Sequence, residues 1–389
     1  MGNQRKLLSI DGGGIRGVLA LEILGRLEQE LADAQGIARD EFRLSDFFDY
    51  VAGTSTGAVI AACVSRGMSV AQMMDFYLDA GPIMFDRRLR KRVVALIKGG
   101  AQYDAKPLEG RLKQLFGENT NLEPGNLKCH LLAVTRNQTT DSPWPISSNP
   151  DAKYNRPQYA DSNLKIPLWQ LVRASAAAPF VFQSQRITVE EGKEFRFLDG
   201  GITPYNNPAW LLYRMATESC YNMNWERGED KLLLVSVGTG SSPKGDGGKL
   251  ITGALQQMFT TSKTLIGLLI QNGMVDQDTN CRQVGRCVHG EVLDSEIEDM
   301  IPRHGEMDKS DSYKGRIPLS EDLGRNFLYA RYNVHLTRDN LDAMGLQDIN
   351  VKKVQKLDSI KNIGDLRRIG RCAAEQVDVR DFAPFLTGQ

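Results

Sequence analysis

Three short stretches hold residue types that together could break an ester. Gly53-Thr54-Ser55-Thr56-Gly57 has the G-x-S-x-G spacing of a nucleophile elbow, with the serine hydroxyl as the attacking group. The glycines allow a sharp turn, and a helix starting there favours a developing anion. The same residues also suit an ordinary βα turn with a serine N-cap. Asp199-Gly200-Gly201 offers the partner base, because a carboxylate backed by two glycines can approach another turn closely. D-G-G is also common turn composition. Asp11-Gly12-Gly13-Gly14-Ile15-Arg16-Gly17 offers bare backbone N–H groups. If Gly12, Gly13 and Gly14 face the carbonyl that Ser55 attacks, they form an oxyanion hole. Arg16 either adds positive charge there or pairs with a carboxylate in the first turn of a helix.

Competing chemistries are tested on context. Gly12, Gly14 and Gly17 match G-x-G-x-x-G, but a dinucleotide site needs a second strand ending in an acid about twenty residues on. Leu31 to Asp40 shows no strand pattern, so that test fails. A Ser-His-Asp triad would need one of His130, His289, His304 or His335, and none has a glycine-rich turn beside it. A Ser55–Asp199 dyad is therefore preferred. Its difficulty is that a free aspartate, with a pKa of about 4, is a weak base, so burial must raise it. Cys281, Cys287 and His289 lack a fourth ligand and C-x-x-C spacing, so no metal and no cofactor are expected.

These groups need elements that bring them together. Phe47 to Ala52 reads as a buried strand entering the elbow, and Ala58 to Ala62 as a closely packed helix leaving it. Lys6 to Ile10 reads as the first strand, with a helix running from Ile15 to Leu31. In a parallel sheet both turns then lie at the carboxyl ends of strands, where α/β sites form. Lys128 to Thr135 is a further strand, and the stretch with Pro143, Pro145, Pro150 and Pro157 is expected to be a surface loop. Trp169 to Ala178 predicts a small-residue helix ended by Pro179, and Phe195 to Leu198 a strand delivering Asp199. Asn207 and Pro208 suit N-cap and N1 of another helix. Leu232 to Val237 and Phe327 to Leu336 add strands, and Val351 to Leu357 and Ile363 to Val377 surface helices. Between them lie a polar loop, Ser241 to Gly248, and an apolar segment, Leu250 to Met274. That segment covers the site, touches lipid, contacts another subunit or joins the core. Arg87 to Lys98 interleaves basic and apolar residues, as in a helix that meets a membrane surface or anion, or in a solvated face.

The chain of 389 residues is 41% hydrophobic and 25% charged, with 48 basic and 48 acidic residues. That composition fits a globular protein without a global field for nucleic acid. Six scattered cysteines read as reduced thiols. Leu7 to Ile10 is too short for a signal-peptide core, Met1-Gly2 lacks the Ser or Thr of a myristoylation site, and no run approaches a membrane span. A soluble, cytoplasmic protein is expected.

The motifs Asp11 to Gly17, Gly53 to Gly57, Ala174-Ser175-Ala176-Ala177-Ala178-Pro179 and Asp199 to Gly201 stand in the order seen in patatin-like phospholipases, and the strand Leu232 to Gly240 also looks like theirs. The resemblance covers roughly residues 7 to 240. It implies an α/β, three-layer fold with a mostly parallel central sheet and helices on both faces. It divides the chain into a catalytic core, 7–211, and a C-terminal part, 212–389, that completes the fold and carries lid, regulatory or assembly segments. It implies a lipid acyl hydrolase with Ser55 and Asp199 as the dyad, Gly12, Gly13 and Gly14 as the oxyanion hole, and Arg16, Gly53, Gly57 and Gly200 in support. The layout, with Phe327 to Val334, is similar to bacterial patatin-like effectors of anti-phage signalling, which a cyclic nucleotide switches on to degrade membrane phospholipid. The implied partners are membrane phospholipid, met at the membrane surface, a cyclic-nucleotide activator and further copies of the chain, with no nucleic acid polymer. A soluble-ester hydrolase or thioesterase with the same site, and a nucleotide-sensing assembly protein, remain the alternatives.

Overall fold

The computed structural model describes residues 4–84, 104–156, 158, 161–179, 181–190, 193–242, 254–293 and 324–386. Its strands are β1 (Arg5–Ile10), β2 (Tyr50–Thr54), β3 (His130–Asn137), β4 (Ser142–Ser147), β5 (Gln185–Glu190), β6 (Lys193–Asp199), β7 (Leu232–Val237), β8 (Arg286–His289) and β9 (Leu328–Tyr332). They form one sheet in the order β5-β6-β3-β2-β1-β7-β9-β8, with β4 also paired to β3. From β3 through β8 all pairings are parallel, while β4, β5 and β6 are antiparallel additions at one side. The parallel strands are apolar runs because they are covered on both faces.

Alternate residues supply the two cores. Leu8, Ile10, Val51, Leu131, Ala133, Leu233 and Val235 pack on one face with α1 (Gly17–Gln35), α2 (Thr56–Ser65), α3 (Val70–Met84), α4 (Lys106–Phe116), α5 (Leu168–Ser175) and α8 (Ile363–Ala374). Leu7, Tyr50, Ala52, Leu132, Val134, Leu232 and Leu234 pack on the other with α6 (Ala209–Thr217) and the end of α7 (Ala254–Val284). Helix–sheet–helix layering follows, as the fold expectation required. Three strands from beyond residue 211, β7, β8 and β9, lie in the same sheet as the motif-bearing strands.

Two local expectations are corrected. The strand into the elbow begins at Tyr50, because Leu44–Phe47 is a helical turn held by the Asp46 carboxylate accepting the Arg43 N–H at 2.7 Å. Pro143 and Pro145 belong to β4, not to a loop. Among the described residues β4 pairs with β3 alone, and an edge strand tolerates residues without an N–H. From residue 254 on, the apolar segment is part of α7, whose Met274 is buried while Leu268 and Leu269 are exposed. No described helix is long and apolar enough to cross a membrane. The basic stretch 87–98, and the polar loop from residue 243 on, fall outside the described residues.

Candidate active site

Two strand ends meet head-on beside β3. β2 pairs with β3 as far as Thr54 opposite Val134, and β6 begins its antiparallel pairing at Asp199 opposite the next residue, Thr135. The chain leaving β2 therefore starts its turn where β6 stops. Gly200 sits in that junction, where a Cβ would strike the Val134 carbonyl. Ser55 Oγ donates to Asp199 Oδ2 at 2.7 Å.

The elbow itself is strained. Ser55 has φ 55° and ψ −120°, a left-handed backbone that costs a serine about 1–3 kcal/mol and survives only where its surroundings enforce it. Those surroundings are tight. A Cβ on Gly53 would strike the Gly57 carbonyl, and one on Gly57 would strike the Ile10 carbonyl. The serine lies at the start of α2, a helix in which every residue is buried.

Asp199 is buried and accepts two hydrogen bonds, from Ser55 and, at Oδ1, from the Gly201 N–H at 2.7 Å. Burial raises its pKa to about 6, opposed by those two bonds and by the nearby Arg173 guanidinium. The weak-base difficulty is thereby reduced, since the carboxylate is ionised at neutral pH yet more basic than a free one. Arg173 is itself buried, donates to the Gln183 carbonyl at 2.9 Å and lies over the Phe182 ring. Nothing in the sequence marks its position beside the dyad.

The glycine loop after β1 lies against the elbow. Gly12 N–H is engaged, donating to the Asn206 carbonyl at 3.0 Å, which corrects the expectation that it faces an oxyanion. The Gly13 and Gly14 N–H groups donate to nothing among the described residues. Gly14 has φ 58°, a conformation suited to glycine. Arg16 is buried, donates to Ser242 Oγ at 3.1 Å and makes no ion pair among the described residues. Burial lowers its pKa to about 10. Asp11 is fully buried and pairs with Arg331 of β9 at 2.6 Å, and Arg331 reaches Asp278 of α7 at 3.4 Å.

The histidines lie elsewhere. His130 opens β3 opposite Tyr50, at the far end of β2 from Ser55, and His289 stacks on Tyr332. His335 pairs through Nδ1 with Ser241 Oγ at 2.7 Å. Among the described residues no histidine bonds to Ser55 or Asp199, and His304 lies outside them. The six cysteines form no disulfide among the described residues, where no cluster of three or more His, Cys, Asp or Glu is placed to hold a metal.

A serine on a strained strand–helix elbow, bonded to the aspartate of a D-G-G turn beside a glycine-rich loop, on a three-layer sheet, defines a class. The patatin-like phospholipase family model matches residues 8–213, and the chain belongs to that family. It is 28% identical over 215 residues to the cGAMP-activated phospholipase of Vibrio cholerae, covering 54% of this chain and 57% of that one. To patatin-like protein 1 of Arabidopsis thaliana it is 29% identical over 261 residues, 61% of this chain and 59% of the other. To the 85/88 kDa calcium-independent phospholipase A2 of Rattus norvegicus it is 32% identical over 254 residues, 61% of this chain and 27% of the relative. The matches thus span less than two thirds of these curated relatives.

Proposed function

We propose that this chain is a serine lipid acyl hydrolase that cleaves fatty acyl esters of membrane phospholipid. The observation that carries the reading is the 2.7 Å bond from Ser55 Oγ to the buried Asp199. Asp199 accepts the Ser55 proton as Oγ attacks the ester carbonyl, and the carbonyl oxygen takes up negative charge against the Gly13 and Gly14 N–H groups. Collapse of the adduct expels the lysolipid alcohol, which takes the proton back from Asp199. Water then repeats the sequence on the acyl-serine and releases the fatty acid. The 7–211 segment carries these groups, and the strands after it complete the sheet.

The family name and the phospholipase relatives support lipid as substrate, and the cGAMP-activated relative supports a cyclic nucleotide as activator. The test is fatty acid release from phosphatidylglycerol/phosphatidylethanolamine vesicles, with and without cGAMP, beside labelling by a fluorophosphonate. Ser55→Ala should lose both label and release. Release undiminished in Ser55→Ala would overturn the reading, and cleavage of monomeric esters without any of vesicles would favour the soluble-ester alternative.

A further inference from the structure

The geometry points to Asn206 and Thr239 as positioning residues that aim the Gly13 N–H at the developing oxyanion. The inference rests on the hydrolase reading above and adds two residues to it.

Both side chains converge on a single peptide group. Thr239 Oγ1 donates to the Gly12 carbonyl at 2.8 Å, and Asn206 Nδ2 donates to the same oxygen at 3.3 Å. The Asn206 carbonyl meanwhile accepts the Gly12 N–H at 3.0 Å. Gly12 is therefore held from both ends, and both side chains are buried. The described chain has no cis peptide, and in a planar trans peptide the C=O and the following N–H point in opposite directions. Anchoring the Gly12 carbonyl between Asn206 and Thr239 forces the Gly13 N–H to point away from both. That N–H finds no acceptor among the described residues. A group accepting two bonds at its oxygen is also more polarised, which makes its N–H the stronger donor.

The packing restates the constraint. A Cβ on Gly12 would strike Asn206 Oδ1, and one on Gly13 would strike the Thr239 side chain. The loop thus rests on these two residues with no room for a side chain between. Asn206 also touches the acid's turn: a Cβ on Gly201, whose N–H holds Asp199, would lie 2.9 Å from Asn206 Oδ1. One asparagine so sets the spacing between the oxyanion loop and the D-G-G turn. Thr239 comes from the loop after β7, so the donor on which the reaction depends is oriented from the strand beside β1.

The test uses the full chain with p-nitrophenyl butyrate as substrate and a butyl trifluoromethyl ketone as inhibitor, whose adduct with Ser55 is itself an oxyanion. Thr239→Val keeps the shape and loses the donor. It should lower kcat about tenfold, less than loss of a whole oxyanion donor, with KM changed less than about twofold. The inhibition constant of the ketone should rise by the same factor, because the lost interaction exists only with the anion. Thr239→Ser, which keeps the hydroxyl, should recover most of the loss, and Asn206→Ala should show the same split to a smaller extent. Thr239→Ala repeats the comparison with a smaller side chain if the valine unfolds the protein. Equal losses in the serine and valine variants would overturn the inference, since packing alone would explain them. So would wild-type kcat in Thr239→Val, or a kcat loss without a matching change for the ketone. Full turnover in Ser55→Ala would overturn the underlying hydrolase reading as well, and it is recognisable because it leaves Thr239 untouched.

Discussion

The Ser175 hydroxyl accepts the backbone N–H of Ser55 at 2.9 Å and donates to the Val134 carbonyl at 2.6 Å. One side chain thus pins the strained elbow to β3 and occupies a carbonyl left over where β2 and β6 both end. Ser175 is fully buried at the end of α5, so water cannot take its place without rearrangement.

Ser175→Ala should therefore leave a buried N–H and a buried carbonyl unpaired. The expected cost is about 1–3 kcal/mol, read as a lower urea midpoint with unchanged slope. Turnover should fall with it as the elbow relaxes from its positive φ. An alanine variant with both wild-type stability and wild-type kcat would refute this account.

The dyad predicts non-additive losses. Ser55→Ala and Asp199→Ala should each lower kcat by about a thousandfold or more, and the double variant should be little worse than either. His335→Ala and His130→Ala, away from the dyad, should change kcat by less than about threefold. Steady-state kinetics on one ester settle the comparison, and a catalytic collapse in either histidine variant would reinstate a triad.

Acidification should titrate the base. With Asp199 raised to about 6 by burial, kcat/KM should climb with pH through that value and level off above it. The stability effect has the opposite sign. A carboxyl whose folded pKa exceeds its ordinary 3.8 contributes most below about pH 4, and the contribution is lost as pH rises through about 6. Asp199→Asn should thus be inactive yet more stable than wild type at pH 8, by up to about 3 kcal/mol, with the advantage gone at pH 4. Urea midpoints at the two pH values check both the size and the direction.

Breaking the buried ion pair should be costly. Arg331→Met strands the carboxylate of Asp11, which has no exposure, while Asp278 keeps Arg282 at 2.9 Å, and should destabilise by about 3–5 kcal/mol. Adding Asp11→Asn should restore part of the loss. Equal unfolding midpoints for wild type and Arg331→Met would show that the pair contributes nothing.

The sequence disclosed what local composition controls. Ser55, Asp199 and their glycines stand out because close approach and a positive φ leave few residue types able to serve. The apolar runs of β1, β2, β3 and β7 were legible for the same reason, since burial on both faces permits little else. Arg173 and Asn206 carry no such mark, and Ser175 is marked only as a member of the Ala174–Pro179 stretch. A serine in a small-residue helix, an arginine two residues before it and an asparagine two residues before a proline have many uses, and only the tertiary fold sets them beside the dyad. β4 was missed because two prolines argue against a strand, and the sequence does not say which strands are edges. Gly12 looked like an oxyanion donor because nothing local shows that Asn206, nearly two hundred residues later, accepts its N–H.

The bond between Asp11 and Arg331 spans 320 positions, and it orders events during synthesis. Nucleophile, acid and glycine loop have all been synthesised once residue 201 is added. β9 and the guanidinium that neutralises Asp11 arrive more than a hundred residues later. Until then the loop next to Ser55 starts at a carboxylate without its Arg331 partner, in a sheet that still lacks strands. A nascent chain thus carries its candidate reactive groups before the guanidinium that neutralises Asp11, and the sheet around them is completed only late in synthesis.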